Sequence, residues 1–337
     1  MANNNAAHQP NEFGIAIKAE TTLGSPIDDP TQLFTDSVSL PSFAPDQDLS
    51  AKSGKFVADF AEIYSSNKNT ASEITATGLY NDTVGTLFEG ILHTANSSDV
   101  ITVSDSYTAP NLFHGMTTAA ATRTYTIKLI SPLLTDNTSS TSPGCVELFG
   151  CSVTALSVFA DAGTDGGRLK YSVTFKTGYL PNFLHLPGTV AAPLTDGMAT
   201  IHDLSYRKIA GVEAPVVSSF NLNIENPADY VGYDPNNDRP YSISRSVPEG
   251  PVCTLSSTVK LDLSTKDLLG NFMNASAQTG LANHMSDRND FDMAQVSNFA
   301  FDCDKAIITG MSLNEQAAMM YDVEQKLLFG TLKVSIT

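Results

Sequence analysis

The chain has 337 residues, of which 16% are charged, and 19 Lys plus Arg stand against 36 Asp plus Glu for a formal charge of −17. That length suits two domains better than one, and the acidic balance argues against the basic stripe by which a nucleic-acid-binding surface grips phosphates. It leaves open a channel wall, which would repel a passing polyanion instead of holding it.

The first residues, Met1-Ala2-Asn3-Asn4-Asn5, carry no basic run and no apolar core, so no signal peptide is expected. No stretch approaches the roughly 18 apolar residues of a membrane-spanning helix, and a soluble protein made in a cytoplasm is the expectation. In that compartment the sequons at Asn81, Asn96, Asn137 and Asn274 are incidental. From Phe13 to Pro26 the chain alternates Ile15 and Ile17 with Ala16 and Lys18 at a strand's period of two, and Gly24-Ser25-Pro26 ends the run. Residues 1–30 read as an N-terminal arm.

Strict alternation recurs at Phe56, Ala58 and Phe60; Tyr125, Ile127 and Leu129; Leu169, Tyr171, Val173 and Phe175; Phe220, Leu222 and Ile224; Val259, Leu261 and Leu263; and Leu332, Val334 and Ile336. These read as strands with one buried face. Lys170, Ser172, Thr174 and Lys176 occupy the opposite face of one of them, which therefore meets water or a polar lumen, as in an antiparallel sheet.

Two segments read as helices. Over 83–95, Val84, Leu87, Phe88, Ile91, Leu92 and Ala95 share one helical face, with Asn81, Asp82 or Thr83 as N-cap. Over 264–277, Leu268-Leu269 and Phe272-Met273 reproduce Leu87-Phe88 and Ile91-Leu92 181 residues later. Each half also carries a strand pair, 151–161 with 168–176 and 216–226 with 252–262. Together these suggest two copies of one β domain, over 31–200 and 201–337, although helix and hairpin come in opposite order in the two halves. Near the C-terminus, Ser312 and Glu315 make a capping-box pattern and Leu313, Ala317, Met320, Val323 and Leu327 keep helical spacing. A strand is expected there only from Gly330 onward. The polar stretches 131–144, 178–203 and 226–245 read as long loops.

No motif for chemistry stands out, and no enzymatic role, cofactor or metal is expected. Phosphate loops, dinucleotide fingerprints, nucleophile elbows and the His-Glu-x-x-His pattern are absent from the sequence. His8, His93, His114, His185, His202 and His284 are scattered singly. Cys145, Cys151, Cys253 and Cys303 lack zinc-site spacing and read as free thiols. Asp234-Pro235-Asn236-Asn237-Asp238 opens like a calcium loop, but Arg239 stands where the Gly is required and Arg245 where the bidentate Glu belongs. It reads as a turn, as does Asp161 to Gly167. Asp287, Asp290 and Asp292 read as a solvated face.

The arm from Gly14 to Pro26 resembles the opening of the major tail tube proteins of tailed bacteriophages, many of which begin with Gly, a few apolar residues, Lys, Glu, Thr, Thr, any residue, Gly, Ser or Thr, and Pro. Val153 to Val158 and Val217 to Asn226 resemble the long central strands of those proteins, and Gly167 to Gly178 and Pro251 to Asp262 their returning strands. The resemblance implies a mainly β fold with few helices, built of β-sandwich or half-barrel domains. Subunits would close into a ring whose inner wall is one continuous barrel, and the rings would stack into a tube. It further implies a virion tail protein assembled in the cytoplasm of a bacterial host, with a tape measure protein and tail terminator or baseplate proteins as partners. DNA would pass through the tube without specific binding.

The chain is longer than single-domain tube proteins, so the resemblance implies either a duplicated tube domain or an inserted decoration domain. Three duplicated subunits would form a pseudo-hexameric ring; otherwise six form it. Phe13, Ile15, Ile17, Glu20 and Thr21 of the arm, and Asn226, Tyr230, Tyr233, Asp234 and Arg239 of the 226–245 loop, are the candidates for inter-subunit contact. Deleting Met1 to Pro26 is accordingly expected to leave a folded protein that no longer polymerises. Rival readings are a capsid or decoration subunit and a soluble carbohydrate-binding or adhesin module, against which the absence of Trp counts.

Overall fold

The computed structural model describes residues 13–39, 41, 46–48, 64–66, 72–92, 100–102, 124–130, 145–184, 188–194, 198–231, 242–244, 252–263, 265–273, 281–286, 299–314, 319–328 and 332–335. The fold is mainly β. The arm forms β1 (Gly14–Ala19), followed by β2 (Thr31–Gln32), β3 (Thr35–Val38) and the separate pair β4 (Asp46–Asp48) and β5 (Tyr64–Ser66). Strand β6 (Ser72–Leu79) leads into helices α1 (Asp82–Gly85) and α2 (Leu87–Leu92), then β7 (Val100–Thr102), β8 (Tyr125–Ile130), the 17-residue β9 (Cys145–Asp161), β10 (Lys170–Thr177) and β11 (Asn182–Leu184). The remainder is β12 (Tyr206–Ile209), β13 (Val212–Glu213), β14 (Val217–Glu225), β15 (Asp229–Val231), β16 (Ser242–Ser244), β17 (Val252–Lys260), helix α3 (Leu268–Met273), β18 (Asn283–Ser286), β19 (Ala300–Cys303), β20 (Ala306–Asn314), β21 (Met320–Leu327) and β22 (Leu332–Ser335).

A 12-stranded and a 6-stranded antiparallel sheet contribute to one continuous apolar core. Strand β9 belongs to two ladders: its first residues pair with β8 and β11, and the stretch after Cys151 pairs with β10 and β14. The turn between them is at Gly150, whose φ is +60° and where a Cβ would lie 2.5 Å from the Tyr179 ring. Only glycine meets both conditions without strain. Eight strands thereby line up as β3-β6-β10-β9-β14-β17-β21-β20, and the β9–β14 ladder carries the sheet without interruption from the first half of the chain into the second.

The strand order is the same on both sides of that ladder. Taken by position in the chain, each group of four runs first, second, fourth, third, and in each a helix follows the second strand. The bulges also coincide: Asp36 and Ser218 are the unpaired residues at the start of the first strands, and Thr154 and Thr309 those in the third strands. Around the latter, Val153-Thr154-Ala155-Leu156-Ser157-Val158 corresponds to Ile308-Thr309-Gly310-Met311-Ser312-Leu313. The remaining strands follow suit, as β2-β1-β8-β9-β11 and β13-β12-β18-β19-β22. Strand β7 is the exception, because it leaves the first half to pair with β22.

The halves therefore correspond differently from the sequence expectation. The partner of 252–262 in the comparison is β6, not the strand returning at 168–176, and the apparent reversal of helix and hairpin disappears. The helical spacing around Leu313 to Leu327 is overturned by β20 and β21. There Tyr321, Val323, Gln325 and Leu327 share the buried face, and the polar Gln325 hides the alternation because Asn283 satisfies it by reciprocal 2.9 Å hydrogen bonds. The first helix breaks at Thr86, and Asn81 caps it by accepting the Val84 amide at 3.2 Å. The second starts at Leu268, later than expected, and 274–280 lie outside the described residues. The loop at 226–245 contains the β15–β16 ladder and the one at 178–203 contains β11. The loop at 131–144, the alternation at Phe56 to Phe60, and Ile336 lie outside the described residues.

The arm is also placed differently. Strand β1 pairs with β8 over six residues, and Ile15, Ala16 and Ile17 are buried in this chain's own core. An arm with that ladder and that buried surface is part of the fold.

Candidate functional site: a polar sheet face with two open edges

Alternation along eight adjacent strands puts the core on one side of the long sheet and short polar side chains on the other. The register aligns Thr77, Ser172, Ser157, Asn223, Thr254 and Lys326 side by side across six strands. Hydroxyl and amide groups tie neighbouring strands together on that face. Ser37 and Thr77 lie 2.7 Å apart, Thr75 and Thr174 3.1 Å, Ser157 donates to Asn223 at 2.7 Å, and Thr258 donates to Asp322 at 2.8 Å.

Charges on these strands nearly cancel. On the polar face Asp36, Glu73, Asp161, Glu225, Asp322 and Glu324 stand against Lys170, Lys176, Lys260 and Lys326, a balance of −2 on a chain of −17. Two of the lysines are already engaged: Lys170 bonds Asp165 at 2.6 Å and lies 3.4 Å from Asp36, and Lys176 bonds Asp229 at 3.0 Å. The hydrogen bond from Lys170 holds the Asp165 carboxyl below its ordinary value. A shallow depression of about 480 Å³ crosses five of the strands, lined on the polar side by Phe159, Asp161, Asn221, Ser256, Asp322 and Glu324. Among the described residues, no group of His, Cys, Asp or Glu is arranged to hold a metal ion, and the four cysteines are free and buried.

The long sheet ends in two edges. Among the described residues, no strand covers the outer side of β3 or of β20. Strand β20 leaves Ile307, on the polar face, and Leu313, on the core face, 47% and 45% exposed beside an open backbone edge of the kind that invites another strand. Because seven antiparallel ladders lie between the edges, β3 and β20 run in opposite directions.

The candidate contact residues fall mostly elsewhere. Ile15 and Ile17 are in the core, Phe13 is half-buried beside them, and Thr21 is exposed. Glu20 is buried and accepts four hydrogen bonds, from the Gly24 amide at 2.9 Å, Thr124 at 2.7 Å, Thr126 at 3.1 Å and the Gly150 amide at 2.7 Å. Burial raises its carboxyl above the ordinary value, and those four donors pull the other way. Asn226 is buried and donates to the Ile91 carbonyl at 2.8 Å, closing the end of α2. The Tyr230 hydroxyl lies 2.6 Å from the carbonyls of both Gly150 and Lys176. Glu20 and Tyr230 are thus brought together on opposite sides of one residue, Gly150, where β9 turns. Tyr233, Asp234 and Arg239 lie outside the described residues. The edge positions on β3 and β20 escaped the sequence reading, and the shared motif around Thr154 and Thr309 is the signal that marks β20.

No protein-family profile matches the chain, and no curated protein sequence is significantly similar to it.

Proposed function

We propose that this chain is a structural virion subunit made of two copies of one tail-tube domain. It polymerises into stacked rings that form a phage tail tube, a conduit for DNA on its way into the bacterial host. The observation that carries the reading is the eight-stranded sheet, polar on one face, whose open edges run in opposite directions. Rotating a copy so that β20 meets the next copy's β3 continues an antiparallel ladder and keeps the polar face on one side. A head-to-tail contact of this kind closes into a ring when the rotation permits, and the stacking contact remains open-ended. Closure also hides the two edges.

Three copies contribute 24 strands, eight from each. At about 4.8 Å between strands and a tilt of roughly 40°, such a barrel is about 50 Å across at the backbone, so a DNA duplex passes between inward side chains. Short Ser, Thr and Asn side chains with near-balanced charge line that passage and offer phosphates no continuous basic track. The subunit acts as a wall and carries no catalytic role. By the resemblance of its strands to tube proteins, its other partners are a tape measure protein and terminator or baseplate proteins, and its place is the virion tail, assembled in the host cytoplasm.

Negative-stain electron microscopy of the purified protein tests this: hollow tubes are expected. Shells or spikes would turn the assignment to a capsid or decoration subunit. A protein that stays monomeric at high concentration and gives clear hits on a glycan array would overturn it.

A further inference from the structure

We infer that the copy-to-copy contact repeats the ladder between β9 and β14, with β20 of one copy in the place of β9 and the β3 segment of the next in the place of β14. This rests on the ring reading above and adds to it the identity and register of the paired residues.

The bulges supply the register. Phe159 lies five residues after the bulged Thr154, and Asn314 lies five after the bulged Thr309. Asn221 lies three residues after the bulged Ser218, and Ser39 lies three after the bulged Asp36. The backbone supports the second equivalence: Asn221 is paired with Ser256 of β17, and the Ser39 amide donates to Thr75 of β6 at 2.8 Å, 181 residues earlier. Within the chain Asn221 is opposite Phe159. Ser39 of one copy is therefore opposite Asn314 of the next, and Pro41 opposite Ser312.

Pro41 fits this scheme. Its counterpart is Asn223, which lies between β9 and β17. The ladder to β9 uses the even-numbered amides of β14, as shown by Asn226 donating to Thr154, so the Asn223 amide turns toward β17. A proline at the corresponding place loses a bond to β6, not one to the incoming strand. The segment thus keeps its Ser39 bond to β6 while its outer side stays able to pair.

The same alternation makes Ser39 and Asn314 a non-hydrogen-bonded pair, with Cα atoms about 4.5 Å apart, within reach of a disulfide. It also turns the Leu313 amide outward. The test is a double variant, Ser39→Cys with Asn314→Cys, assembled and mildly oxidised. Covalent trimers on a denaturing gel are expected, with monomers from each single variant and from the off-register pair Ser39→Cys with Ser312→Cys. Leu313→Pro, which removes an amide unused in the isolated chain, is expected to retain wild-type circular dichroism and thermal midpoint while losing tubes. If the wild type forms tubes but the double variant does not cross-link and Leu313→Pro still assembles, the inference fails and the tube reading stands. Cross-linking of the off-register pair alone overturns the register. Absence of tubes from the wild type removes both.

Discussion

At the scale of single residues, the most constrained point is the turn at Gly150, held between Glu20 and Tyr230. Glu20 has a backbone amide on each carboxylate oxygen, from Gly24 on one and Gly150 on the other. Glu20→Gln must point an NH2 group at one of them, so it is expected to destabilise by about 1–3 kcal/mol in urea unfolding at neutral pH despite equal shape. The pH dependence has a definite sign. The folded carboxyl is raised above its ordinary 4.5, so between the unfolded and the folded value folded chains hold a proton that unfolded chains have lost. Stability from this group is full below that value and is lost as pH rises through the raised one. The wild type's advantage over Glu20→Gln is therefore expected to shrink from pH 4 to pH 7, and a widening gap would contradict the placement. None of this was legible in the sequence. An acid in an arm reads as exposed, and its donors Thr124, Thr126 and Gly150 lie 104 to 130 residues away.

At the scale of elements, the arm changes character. Strand β1 covers the edge of β8 and puts three residues into the core, so removing Met1 to Pro26 strips a ladder and bares β8. Loss of the cooperative unfolding transition, seen by calorimetry, is the expected outcome, and a truncated protein that melts like the full chain would refute it. Ile15→Ala, at a fully buried site, should cost about 2–5 kcal/mol in the same measurement. Strands β10, β14 and β17 were legible because their buried faces are almost wholly apolar and their other faces polar. Strand β21 was not, since Gln325 takes a core position that only its distant partner Asn283 makes tenable. The edge character of β3 and β20 was illegible for a related reason: alternation marks a strand but not what lies beside it.

At the scale of the whole molecule, three copies carry a formal −51, three times −17, while the polar strand face holds a balance of only −2 per chain. The acidic excess is carried by residues of other segments, and the like net charge opposes association of copies. Raising ionic strength from 0.01 to 0.15 M shortens the screening length from about 30 to about 8 Å. Light scattering is therefore expected to show faster polymerisation at the higher salt, and inhibition by salt would argue for attractive charge contacts. The pairing of β7 with β22 has a consequence in time. It joins Thr102 to Lys333, 231 residues later, and so closes only after the intervening chain has been made. At about 5–20 residues per second, a ribosome takes roughly 10–50 s to cover that distance. During that interval the first half waits with β7 unmatched, and a nascent chain cut short before β22 never completes the small sheet. Completion of the small sheet thus requires synthesis to have passed β22.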